Sequence, residues 1–325
     1  MKCIMTNDIH LGISYNDPIW LEQAKRLFSC IIDECHKRDI YELYILGDFF
    51  HDRKNIGMKC LDTALDIADM LKDNNIHVVY VIGNHDVFYK TKIDITSLRI
   101  FEKYDNMDII YEPTIVDNVG LVSWSVETPL EADYLFGHLE INGFPIVKGK
   151  MFDKSIYNIQ DFSQYKHVYS GHFHTPSQRN NITYLGAPYH MTFNDVDSIR
   201  GFYFFDDGNL EFIEFDGVKF VYVSSEEEPD DRKIKGNIVK LIFEKDYGTD
   251  GNTKKIENVQ KFNPLRFHTD FTKLSNNIIT EENEEKIETI KSNKDILFDF
   301  IDVTKHPDYI NLKKMRNIVN TLLED

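Results

Sequence analysis

Short apolar runs alternate with stretches of helical period from the first residues onward. Residues 2–5 predict a strand, 20–37 a helix, 43–46 a strand, 58–74 a helix and 77–82 a strand. This is the βαβ rhythm of a layered α/β fold. In the second helix Leu61, Ala64, Leu65, Ala68 and Leu71 fall on one core face, with Ile67 and Met70 widening it. Further strands are predicted at 109–111, 120–124, 134–136, 167–169 and 183–185. Segments 201–205 and 210–215, joined through Asp206, Asp207, Gly208 and Asn209, read as a hairpin. With a strand at 219–223 they would close a main domain spanning residues 1–224.

The pattern then changes. An acidic turn at 226–231 marks a boundary, and 237–243, 254–262 and 265–271 predict a small strand–helix–strand unit, a second domain over 232–274. From residue 280 the chain is polar and glutamate-rich, before two helical segments at 294–303 and 308–323 separated at Pro307. In the last of these Leu312, Met315, Ile318, Val319 and Leu322 form one apolar stripe, which packs either on its own domain or on a helix of another protein. There is no internal repeat.

Composition narrows the classes. At 325 residues the chain exceeds what one core comfortably supports. Lys and Arg total 37 against 54 Asp and Glu, a net charge of −17, so the surface as a whole does not capture polyanions and any nucleic-acid contact is local or shared. Cys3, Cys30, Cys35 and Cys60 show no CxxC spacing, which argues against a zinc knuckle or a disulfide framework and fits a reduced, intracellular protein. No apolar run approaches membrane-spanning length and no signal peptide is evident, so a cytoplasmic location is expected.

The candidate chemistry sits where strands end. In order these loops read NDIH (Asp8, His10), GDFFH (Asp48, His51), GNHD (Asn84, His85, Asp86), GH (His138) and GHFH (His172, His174). A lone strand-end histidine is more often structural, and a lone aspartate before a helix is usually a cap. Five such clusters in succession, offering nitrogen and oxygen but no thiolate, point instead to a borderline metal. Two aspartates, one asparagine and four histidines make seven donors, enough for two cations if one carboxylate bridges. Such a pair can share a hydroxide and clamp a phosphoryl oxygen, which suits phosphoester hydrolysis.

At these residues the sequence resembles the calcineurin-like metallophosphoesterases, whose motifs D-x-H, G-D, G-N-H-D/E, H and G-H-x-H are all present in order between positions 8 and 174. The resemblance implies a layered β-sandwich flanked by helices, with a small α+β capping domain and a C-terminal helical segment at 280–325. It also implies that Asp8, His10, Asp48 and His174 hold one metal and Asp48, Asn84, His138 and His172 the other, with Asp48 bridging. His85 would face the phosphate, oriented by Asp86, while His51 stands where many relatives have Asp. The stretch GDFFHDRK lacks the pattern of the family's protein phosphatases. With GHLEINGFPIVKG and SGHFHTPSQRNNITYLGAPY it looks like the SbcD-type double-strand-break repair nucleases, and most like the recombination endonuclease subunit of large tailed phages.

That likeness implies a manganese-dependent DNA exonuclease or endonuclease acting in recombination and repair, joined through its C-terminal helices to an SbcC-type, SMC-like ATPase. It also implies a homodimer formed through the region of the 58–74 helix. Basic residues near the metal loops, Arg53, Lys54, Lys59, Lys90, Lys92, Lys148 and Lys150, are candidates for flanking phosphates, though solvated lysines are common. Two rival readings stand: a small-molecule phosphodiesterase or phosphatase of the same fold, and a metal-stabilised, non-catalytic scaffold for the ATPase.

Overall fold

The structure is a computed structural model that describes residues 1–89, 92–124, 131–147 and 150–274. The sequence-predicted C-terminal helices and their stripe from Leu312 to Leu322 lie outside the described residues, as do Lys90 and Lys148. Two six-stranded sheets dominate. The first runs β16 (Asn209–Glu214), β15 (Gly201–Asp206), β1 (Lys2–Thr6), β2 (Glu42–Leu46), β3 (His77–Val81), β6 (Met107–Ile110). Its strands β1, β2, β3 and β6 are parallel, and β15 and β16 extend it antiparallel. The second sheet runs β13 (Ser177–Arg179), β14 (Ile182–Tyr184), β12 (His167–Gly171), β9 (Tyr134–His138), β8 (Val119–Val122), β7 (Thr114–Val116). Its central strands β14, β12, β9 and β8 are parallel.

Alternation along the strands explains the layers. Cys3 and Met5 on β1, Leu46 on β2, and Val79 and Val81 on β3 meet Leu121 and Phe136 of the second sheet in one buried cluster. Their neighbours Ile4, Leu43, Ile45, Val78 and Tyr80 point the other way, onto the helices Pro18–Arg38 and Met58–Asp73. Period two thus supplies a core on each face of the first sheet. The outer face of the second sheet is covered by its own loops, with Phe144, Phe162 and Phe173 packed on Leu135, Val168 and Tyr184.

The helix Met58–Asp73 departs from the expected face. Cys60, Thr63, Ala64, Ile67, Ala68 and Leu71 are buried, whereas Leu61 and Leu65 are only partly so. The buried arc is therefore centred nearer Ile67 and Ala64 than on the leucines. The expected hairpin is present, and its loop residues Asp207 (φ 45°) and Gly208 (φ 100°) both lie in the left-handed region that a two-residue hairpin of this hand requires. Strand β17 (Phe220–Ser224) does not join the main sheets. It pairs in parallel with β18 (Ile238–Ile242) in a three-stranded sheet completed by β19 (Arg266–Asp270).

Two hairpins were not anticipated, β4 (Val87–Tyr89) with β5 (Lys92–Thr96), and β10 (Pro145–Val147) with β11 (Lys150–Met151). The chain divides into a large unit, Met1–Ile242 with Tyr247–Thr269, and a second comprising Phe243–Asp246 and Asp270–Asp325. In the second unit the Phe243 and Phe271 rings stack at 4.3 Å and Lys273 pairs with Glu244 at 2.6 Å. Among the described residues no helix is long and apolar enough to cross a membrane.

Candidate metal centre

Five loops leave the carboxyl ends of parallel strands β1, β2, β3, β9 and β12, the edge at which open α/β sheets gather ligands. They are laced together by the backbone. Asp8 donates its N–H to the Gly47 carbonyl at 3.0 Å and His10 to the Asp48 carbonyl at 3.0 Å. The His172 N–H reaches Oδ2 of Asp8 at 3.0 Å and the His85 N–H reaches Oδ1 of Asp48 at 2.7 Å. Asp8, His10, Asp48 and His172 all hold positive φ, at 47°, 46°, 53° and 93°. Such conformations cost of order 1–3 kcal/mol each for non-glycine residues and persist where surrounding bonds over-determine them.

Two glycines are dictated by this crowding. A Cβ on Gly47, whose φ is 87°, would lie 2.1 Å from Nδ1 of His138. A Cβ on Gly83 would lie 2.2 Å from both the backbone nitrogen and Oδ1 of Asp48. The glycine of G-D and the glycine of G-N-H-D are thus the spaces into which other site residues fit.

All seven expected ligands converge, and they do so in two halves. On one side Nε2 of His10 faces Nε2 of His174 at 2.9 Å, each 4.0 Å from Oδ1 of Asp8. On the other, Oδ1 of Asn84 receives Nε2 of His138 at 3.0 Å and Nδ1 of His172 at 2.9 Å. Asp48 stands between them, with Oδ2 at 3.6 Å from His10 and Oδ1 at 3.4 Å from His138. His172 and His174, two residues apart, therefore serve different halves. His138 donates Nδ1–H to the Leu46 carbonyl at 2.9 Å, an acceptor-only partner that leaves Nε2 aimed at the centre.

The electrostatics follow from burial. Asp8, His10, Asp48 and His138 are almost wholly buried. Burial lowers the His10 pKa well below the usual range, reinforced by His174, so this imidazole is neutral and its lone pair free to ligate. Burial also works to raise Asp48, but His138 above all, with His10 and His85, holds its carboxyl below the normal range. His138 is pushed the other way: burial lowers its basicity, yet Asp48 and Asp8 bring it up to about 9. A pocket of buried carboxylates that draws a proton onto an imidazole is one that a cation suits. The donor set fits divalent ions, since Asp8, His10 and His174, and likewise Asp8, Asp48 and His138, each bring their ligand atoms within 4.8 Å of one another. Two nitrogens binding one ion at about 2.1 Å and a right angle stand about 3 Å apart, as His10 and His174 do.

His51 and His85 border the centre. Their rings stack at 5.6 Å and both meet His10 edge-on. Burial, then His85, lowers the His51 pKa. Both histidines line a cavity of about 750 Å³ with Tyr15, Arg53 and Met191. One expected role is corrected. Asp86 does not orient His85, whose Nδ1 donates instead to the His51 carbonyl at 2.6 Å. The Asp86 carboxylate is occupied by the N–H groups of Phe50 (3.1 Å) and Gly83 (2.9 Å), and burial followed by Asp48 raises its pKa. It braces the loop rather than the ring.

Other contributors carry weaker signals in the sequence. Asn7, just ahead of the first motif, donates to Oδ2 of Asp8 at 2.5 Å and to the Gly186 carbonyl at 3.0 Å. Trp124 stacks on His172 at 5.3 Å, and Glu140 lies 3.4 Å from Nε2 of the same ring. Arg200, paired with Asp195 at 2.5 Å, binds the His174 carbonyl from below. Asn7 and Glu140 stand one and two residues from ligands and were findable, whereas Trp124 and Arg200 reach the site only through the fold. Of the basic candidates, Arg53 is half-buried and Lys54, Lys59, Lys92 and Lys150 are exposed.

The profile of the calcineurin-like phosphoesterases matches residues 1–176. Exonuclease subunit 1 of Enterobacteria phage T4 is 34% identical over 226 residues, 63% of this chain and 65% of that protein, so the match spans less than two thirds of the relative's length. Among solved structures, the nuclease MPE of Pseudomonas putida aligns at a TM-score of 0.31 and 17% identity, over 56% of this chain and 66% of that one. The phosphoesterase Yfce of E. coli aligns at a TM-score of 0.34 and 17% identity, over 66% and 92%.

Proposed function

This chain belongs to the calcineurin-like phosphoesterase family, and we propose that it is a metal-dependent DNA nuclease subunit acting in recombination and double-strand-break repair. One observation carries the reading: the Asp48 carboxylate turns one oxygen toward each half of the ligand cluster, the disposition of a bridge between two cations. Asp8, His10 and His174 would hold one ion, and Asn84, His138 and His172 the other, with manganese proposed as the metal from the resemblance to the SbcD-type nucleases. Divalent ions, when bound, supply a nucleophile at neutral pH and charge to match the phosphoryl oxygens.

The protein's own residues do the rest. Asp48 sets the spacing, Leu46 fixes the tautomer of His138 by accepting from Nδ1–H, and Arg200 and Asn7 hold the His174 and Asp8 segments in place. His85, when both its ring nitrogens carry hydrogen, would donate from Nε2 to the phosphate. The likeness to a protein described as an exonuclease subunit supports DNA as substrate and a complex as the working form. An SMC-like ATPase is the proposed partner, consistent with a net charge of −17 that leaves the isolated chain a poor DNA binder. A homodimer is proposed through the helix Met58–Asp73, and the host cytoplasm as the location.

The test is cleavage of labelled linear, hairpin and single-stranded DNA by the purified chain with manganese, with and without the ATPase. Asp48→Asn should abolish cutting. Undiminished DNA cleavage in that variant, or hydrolysis confined to small phosphodiesters, would reject the reading.

A further inference from the structure

The hairpin formed by β4 and β5 starts two residues beyond His85 and belongs to neither main sheet. Its root is built into the metal loop. The Asp86 carbonyl accepts from the Ser97 N–H and the Thr96 hydroxyl, both at 2.9 Å, and from the Ser97 hydroxyl at 3.2 Å, while the Asp86 carboxylate is tied to Phe50 and Gly83. Val87 at the base is fully buried in the core. A two-stranded ribbon has marginal stability in water by itself, so this anchoring is what holds it in a defined place.

Beyond the root the hairpin turns apolar surface to water. Phe88 is 42% exposed and Tyr89 48%, their rings edge-to-face at 4.9 Å, and Ile95 on the facing strand is 50% exposed. The register shifts between Val87 and Tyr89, an irregularity that lets two successive rings meet each other instead of pointing to opposite faces. Among the described residues the core encloses neither ring. Lys92, the register partner of Tyr89, is also exposed.

We propose that Phe88 and Tyr89 form a stacking platform for unpaired nucleobases next to the phosphate held at the metal centre, so that the enzyme engages single-stranded or frayed DNA in preference to intact duplex. This rests on the nuclease reading above. The rings are within reach: an extended chain advances at most about 3.6 Å per residue, which puts the Tyr89 Cα within roughly 14 Å of that of His85. A neighbouring nucleotide of the bound strand lies in that range. Stacking also answers the problem of charge. With a net charge of −17, phosphate attraction is weak, and base–aromatic contact grips a strand without it. A duplex interior hides its base faces, so only unpaired bases can use the platform.

The test reads binding in the absence of catalysis. The full chain is titrated in EDTA against a fluorescein-labelled short oligodeoxyadenylate and against an abasic strand of equal length, by fluorescence anisotropy. Replacing Phe88 and Tyr89 together by Ala should weaken binding to the base-bearing strand at least about fivefold, the lower end of the loss for one stacked base. The abasic strand should bind wild type and variant alike. Exchanging the rings, Phe88→Tyr with Tyr89→Phe, should restore the wild-type affinity, and replacing both by Leu should not. Equal affinity of the double-Ala variant for the oligodeoxyadenylate overturns the proposal, as does an equal loss on the abasic strand. So does a change of oligomeric state with base binding unaffected, which would make the patch a protein interface. Cleavage in manganese judges the nuclease reading separately: a chain that stacks bases without cutting defeats that reading alone, and one that cuts but ignores the rings defeats only the platform.

Discussion

The His85 ring is hydrogen-bonded through Nδ1 to the backbone carbonyl of His51 at 2.6 Å. A carbonyl only accepts, so Nδ1 carries a hydrogen and Nε2 is the atom presented to the site. The His85 N–H to Asp48 at 2.7 Å fixes the backbone in the same stroke. A side chain held this way and absent from the proposed ligand set should act on the phosphate rather than on metal occupancy. His85→Ala should therefore lower kcat by about 10²- to 10⁴-fold while metal analysis returns the wild-type stoichiometry. Loss of metal in that variant would make His85 a ligand and not an acid.

The bridging role of Asp48 predicts a split between stability with and without metal. A ligand at a hundred times its Kd stabilises by about 2.7 kcal/mol, which raises Tm by about 5 °C or more at a few degrees per kcal/mol. Manganese should shift the wild type by that order. In Asp48→Asn, which keeps the Oδ1 acceptor for the His85 N–H, the shift should vanish. A preserved manganese response in a calorimetric scan would remove Asp48 from the centre.

Gly83→Ala tests whether close packing sets the geometry. The added methyl would meet the Asp48 backbone and carboxylate at 2.2 Å, and neither has room to move because Asp48 is also bound by His85 and sits at φ 53°. Overpacking of this kind costs about 1–3 kcal/mol. The variant should melt below wild type in EDTA and lose the manganese shift. An unchanged melting curve in both conditions would show that the loop has slack.

The motif residues were legible because each is a polar residue at a strand end, and at Gly47, Gly83 and Gly171 the missing Cβ makes room for another ligand. That is local chemistry, and His172 and His174 reaching separate halves of the centre follows from it. The orienting role that the family resemblance implies for Asp86 does not hold, because the backbone demands of the Gly83 turn and of Phe50 consume its carboxylate. Trp124 and Arg200 gave no signal, since their contacts with His172 and the His174 carbonyl exist only once strands far apart in sequence are stacked. The β4–β5 hairpin escaped notice because its alternation is interrupted by charged residues such as Lys92 and Asp94.

The helix Met58–Asp73 carries the proposed dimer contact. Met58 is 84% exposed and Leu61, one turn on, stays partly exposed instead of joining the core as expected. Residues three apart share a helix face, so the two form the start of an apolar stripe directed away from the subunit. Met58→Asp combined with Leu61→Asp should leave the melting point near wild type and convert a dimer to a monomer in light scattering. A wild-type chain that scatters as a monomer would end this part of the proposal.

His77 supplies a pH dependence at the opposite ends of the strands from the metal centre. It begins β3 and is held between Glu42 at 2.8 Å and Asp108 at 3.0 Å, carboxylates on the neighbouring strands β2 and β6. Burial disfavours its charge, but the hydrogen bond and charge of Glu42, then those of Asp108, win and raise its pKa above the ordinary 6.5. A raised folded-state value means that the imidazolium stabilises the fold fully below about pH 6.5 and that this contribution is lost as pH climbs through the folded pKa. The ring is partly exposed, so the effect should be that of a surface pair, about 0.2–1 kcal/mol. Urea midpoints measured in EDTA on both sides of neutrality should fall more with rising pH for wild type than for His77→Gln, which keeps a hydrogen bond but not the charge. Parallel profiles for the two proteins would show that the clasp is neutral throughout.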